Sequence, residues 1–208
     1  MGVENFGGKI AWLAVPAKDT SIVVQALKLQ NPIELEDFYS GLEKVEDDYG
    51  QVLLTPPIDG WVLVVGWWAA GWRKEPARDE VVNKRLLDTV KGVSAILGEC
   101  QTFGCHRVNS YANWTWAKEG KLIRAFHYSA SSQPELIADF GERTSAEKDF
   151  DWDSLGEEWF PEDEDVWNVA GNWSIDPSLL GERKDITGKA VLARVADAKD
   201  KKAWWQFW

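Results

Sequence analysis

The sequence predicts an α+β fold: a mainly antiparallel sheet with helices packed against it, two layers deep, in a single domain. Three observations carry that prediction. Short runs rich in valine, isoleucine and aromatic residues recur along the chain and read as strands. Residues 77–98 place Val82, Leu86, Val90, Val93 and Leu97 at helical spacing. The strand-like runs from 99 to 130 follow one another directly, and mixed helices with consecutive strands are the pattern of an α+β chain.

Taken in order, KIAWLAVPA at 9–17 is apolar and ends in proline, so it reads as a strand. KDTSIVVQALKL at 18–29 reads as a helix capped by Asp19 or Thr20, although Ile22, Val23 and Val24 pull toward strand. Asn31-Pro32 breaks the chain. The segment 33–48 then carries Leu35, Phe38, Leu42 and Val45 on one helical face. Residues 51–68 read as two strands joined by the turn Pro56-Pro57-Ile58-Asp59-Gly60, the second apolar on both faces and therefore central. Gly98 is a natural stop for the long helix before it. Runs around Tyr111, Trp114 and Trp116 and around Ile123, Phe126 and Tyr128 favour strands, with Glu119-Gly120 as the hairpin turn between them. LIADFGE at 136–142 suits an edge strand. Residues 143–165 are polar and acidic and read as loop with a short helix. EDEDVWNVAGNWSIDP at 162–177 reads as a helix, because its first-turn carboxylates suit the helix dipole and Pro177 lies past its end. The domain is expected to span 1–180, with 181–208 as a C-terminal extension.

Composition limits what the chain can do. Its 208 residues, 45% of them hydrophobic, are enough for one real core. The formal net charge of −11 disfavours a phosphate backbone as partner and favours a basic protein surface. Cys100 and Cys105, five apart on one strand, stand roughly 16 Å from each other, beyond disulfide reach. MGVENFGGKI has no signal-peptide pattern, and Phe6 occupies the position where myristoylation needs serine or threonine. WVLVVGWWAAGW is too short to span a bilayer. A cytoplasmic protein without a membrane segment is expected.

TFGCHRV at 102–108 looks reactive. Cys105 and His106 would point to opposite faces of a strand, however, so neither a zinc site with Cys100 and His127 nor an adjacent nucleophile pair follows from the spacing. A Cys100–His106 or Cys–His127 pair, with Arg107, stays open as an enzyme reading. GGKI and TGKA lack the upstream glycine of a phosphate-binding loop. No cofactor is expected. The acidic stretch DFDWDSLGEEWFPEDEDVW at 149–167 interleaves carboxylates with tryptophans. An EF-hand register starting at Asp151 fails at Leu155 and Pro161, so no metal is expected there. Tryptophan is an interface anchor that a merely solvating loop does not need, so Trp159 is expected to fill a partner's pocket; the alternative is that the same rings pin the loop to the body. Asp151, Asp153, Glu157, Glu158, Trp159, Glu162, Asp163 and Asp165 are therefore the candidate protein-binding set. Trp204, Trp205, Phe207 and Trp208 must dock on this chain or on a partner.

Three stretches carry a family resemblance: LTPPIDGWVLVVG at 54–66, QTFGCHRVNSYANWTWAKEGKLIRAFHYS at 101–129 and FPEDEDVWNVAGNWSIDPSLL at 160–180. Together they resemble bacterial cytosolic proteins of the immunity type, which neutralise a toxin. The likeness covers most of residues 9–180 and implies a cognate toxin as partner, with no catalytic residues to carry over. Cys105 stands where the resemblance leads one to expect threonine.

Overall fold

The computed structural model describes residues 2–72, 79–108, 110–130 and 135–196. Nine strands form one antiparallel sheet: β1 (Lys9–Pro16), β2 (Gln30–Leu35), β3 (Gln51–Leu54), β4 (Trp61–Val65), β5 (Glu99–His106), β6 (Tyr111–Lys118), β7 (Lys121–Ser129), β8 (Glu135–Phe140) and β9 (Ala190–Arg194). Their order across the sheet is β2-β9-β3-β4-β1-β5-β6-β7-β8. The α-helices among the described residues are α1 (Thr20–Ala26), α2 (Phe38–Asp47), α3 (Asp79–Leu97) and α4 (Asp163–Trp173).

Strand register sorts the side chains into two faces. Trp12, Phe103, Trp114 and Phe126 are direct neighbours across β1, β5, β6 and β7. Because successive residues alternate faces, this row looks one way and the row Leu13, Thr102, Thr115 and Ala125 looks the other. The aromatic row stacks within itself, with ring centroids 5.5 Å apart for Trp12–Phe103 and 4.2 Å for Trp114–Phe126. Trp173 of α4 packs on Phe103 from above. On the opposite face the Thr102 hydroxyl donates to the Ala69 carbonyl in the 3-10 turn Trp67–Ala70, and His127 meets Asn83 of α3.

Helices therefore cover both faces, and the expected two layers become three. The physical reason lies in the strands: Ala11, Trp12, Leu13, Ala14 and Val15 are all fully buried, which a one-sided sheet would not allow. The α+β class and the mainly antiparallel sheet are as predicted.

Local chemistry explains most boundaries. Asp19 caps α1, accepting from the Ser21 amide at 2.6 Å. Gly98, at φ +84°, ends α3. Glu119 and Gly120 both adopt positive φ, the geometry of the tight turn joining β6 and β7. Two expectations need correction. Leu35 belongs to β2, not to the helix after it, and Pro32 lies within that strand; proline is tolerated because β2 is a sheet edge. The region after 180 is not an appendage: β9 is inserted between β2 and β3, so the domain runs at least to Arg194. The aromatic tail at 204–208 lies outside the described residues.

Candidate functional site

The reactive-looking residues are held apart. Cys100 is fully buried, and burial pushes its thiol far up, out of the range of thiolate chemistry. Cys105 is raised as strongly, first by burial and then by the charge of Asp163; its sulfur rests against the Gly7 carbonyl. His106 lies on the other face of β5, tilted over Trp67 with centroids 5.6 Å apart. Cys100 shares that face with His106 but is six residues away, roughly 20 Å along the strand. His127 is buried, and burial alone lowers it to about 3. Its register partner Asn113 is four residues from the partner of Cys100, roughly 13 Å along the strand. No cysteine can therefore hand a proton to a histidine. Among the described residues, no three His, Cys, Asp or Glu side chains cluster as a metal site requires.

The acidic stretch is built from Glu147 outward. This carboxylate is completely buried and accepts from Trp114 Nε1 at 2.9 Å, from Arg124 Nη2 at 2.7 Å and from the Thr144 amide at 2.8 Å. Burial pushes its carboxyl up, but the hydrogen bonds from Arg124, Thr144 and Trp114 outweigh that and hold it below the usual range. Arg124 in turn reaches Asp139 and the carbonyls of Ala125 and Phe140. The Glu147 carbonyl accepts from Trp152 Nε1 at 3.1 Å, and Arg143 lies over the Trp152 ring at 4.1 Å. Phe150, Trp152 and Trp159 then pile on one another with centroids 5.3–5.8 Å apart, on the foundation of Trp114 and Phe126.

This pile decides the role of each candidate. Asp151, Asp153, Glu157, Glu158 and Glu162 are exposed. Trp159 is half-buried against its own chain, so it serves as a loop pin; the expected role of filling a partner's pocket is not visible in its packing. Asp165 turns back to the Glu162 amide at 3.0 Å, closing a capping box at the start of α4. Its carboxyl is raised, first by burial, as is that of Asp163, which faces Cys105. Five of the eight predicted residues thus form an exposed acidic set, Trp159 and Asp165 hold it in place, and Asp163 turns toward Cys105.

A second feature sits at the end of the sheet where β1 begins and β5 finishes. A cleft of about 340 Å³ opens there, walled by the rings of Tyr49, Trp67, Trp72 and Tyr111. His106 lines it too, as do Lys9 and the carboxylates Glu46 and Asp47 at the C-terminal end of α2. Of these residues, only His106 was singled out by its sequence neighbourhood; the others come from four separate elements and share no local pattern.

No protein-family model matches this chain, and neither a curated protein nor a solved structure shows significant similarity to it. No helix among the described residues is long and apolar enough to cross a membrane.

Proposed function

We propose that this chain is a bacterial immunity protein that binds and neutralises a basic toxin without doing chemistry of its own. The observation that carries the reading is the exposed set Asp151, Asp153, Glu157, Glu158 and Glu162, displayed on a loop that Glu147 and three stacked rings fasten to the sheet. A flexible acidic loop would lose ordering entropy on binding; a fastened one has already lost it. The net charge of −11 adds long-range attraction for a cationic partner and raises the encounter rate. The resemblance to immunity-type proteins points the same way. The thiol-enzyme alternative is weakened by the burial of both cysteines.

The test is protection of cells that co-express a toxin encoded beside this gene. The wild-type chain should protect. The variant combining Asp151→Asn, Asp153→Asn, Glu157→Gln, Glu158→Gln and Glu162→Gln should fold normally and lose protection. Full protection by that folded variant removes the site, and failure of the wild-type chain to protect removes the function.

A further inference from the structure

The cleft beside His106 has the make-up of a cation receptor. Four aromatic rings wall it, and the faces of tryptophan and tyrosine attract cations. Glu46 and Asp47 are exposed at its edge, and neither forms an ion pair among the described residues. Lys9 supplies one positive charge, and its field reaches Glu46. The Glu46 carboxyl is raised, first by its partial burial and then by the negative charges of Asp47 and Glu43. His106 lines the cleft with its ring tilted 32° from the plane of Trp67.

We propose that this cleft receives the guanidinium group of an arginine side chain presented by a protein partner. A guanidinium is planar and stacks on aromatic faces, and it carries five donors and no acceptor. Those donors match the two carboxylates at the rim. An anion would meet Glu46 and Asp47 with like charge, and a neutral ring would leave both unpaired. An ammonium, compact and strongly hydrated, gains less from layered rings.

The protein source follows from continuity with the acidic run, and that clause rests on the toxin-binding reading, whereas the guanidinium site does not. Gly8, which precedes Lys9, lies so close to Asp163 that a Cβ there would sit 3.2 Å from the carboxylate. Tyr128, which precedes Ser129 of the cleft wall, packs on Phe160. Asp163 and Phe160 of the acidic run thus border the chain that leads into the cleft at Lys9 and Ser129, and a basic partner broad enough to span the sheet end would meet both.

The experiment titrates the full chain with N-acetyl-arginine methylamide and with its neutral citrulline counterpart, following the indole and amide NMR signals of Trp67, Trp72 and His106. The arginine probe should shift these signals and bind about tenfold tighter than citrulline. The folded double variant Glu46→Gln/Asp47→Asn should lose that preference. An acetylated glycine pentapeptide with arginine at its centre should bind at least as tightly as the single residue. Equal binding of arginine and citrulline, or no shift in the cleft signals, overturns the guanidinium site. A pentapeptide that binds more weakly than the single residue assigns the cleft to a free small molecule and overturns the protein source. Loss of protection in the five-carboxylate variant reads the toxin surface separately, so the two failures are distinguishable.

Discussion

Arg124 and Glu147 meet at 2.7 Å with both side chains completely buried. They join the sheet to the acidic loop across 23 residues of sequence. A buried ion pair contributes little over a hydrophobic pair, but breaking one leaves the other charge under-compensated, here with only the partly exposed Asp139 beside Arg124. Replacing Glu147 by Gln should therefore lower unfolding free energy by about 3–5 kcal/mol. Chemical denaturation measures this. The exposed neighbour change Asp149→Asn should leave the midpoint where it is.

Both thiols should be inert in the folded protein. Burial raises Cys100 and Cys105 far above neutral pH. Iodoacetamide at pH 8 should label neither until denaturant is added. Fast labelling of either one in the native state would revive a thiol enzyme.

The structure was legible in the sequence wherever the signal was local. The spacing of Val82, Leu86, Val90 and Val93 marked α3, all four are buried, and Gly98 marked its end. Glu119-Gly120 marked the turn between β6 and β7. What escaped was non-local. The strand β9 is five residues long, and its partners β2 and β3 lie about 140–160 residues earlier in the chain, so no periodicity could announce it. Pro32 read as a break because the edge position of β2 is a property of the whole sheet. Glu147 looked like one more carboxylate, since the partners that make it a core residue, Trp114 and Arg124, are far away in sequence. The cleft escaped for the same reason: Trp67, His106 and Tyr111 converge only when the sheet has formed.

His127 should make stability depend on pH. Its folded value is lowered to about 3 by burial, while the unfolded imidazole keeps its ordinary value of about 6.5. Between those values the unfolded chain binds the extra proton. Its contribution to stability is thus fully present above about pH 6.5 and is lost as pH falls toward 3, at about 1.4 kcal/mol per pH unit. Glu147 adds to the loss only below its own unfolded range near 4.5. Denaturation midpoints between pH 7 and 5 should fall for the wild type and stay nearly flat for His127→Gln.

The exposed carboxylates should matter most for capture. Long-range attraction raises the association rate and is screened by salt, whereas contacts made after docking act mainly on dissociation. The most direct measurement is the association rate with the proposed toxin partner across a range of ionic strength, for the wild type and for the variant with Asp151, Asp153, Glu157, Glu158 and Glu162 all changed to amides. A steep fall with salt in the wild type, and a slower rate with a shallower salt dependence in the variant, is the predicted result. Equal rates with the same salt dependence in both proteins would contradict the account.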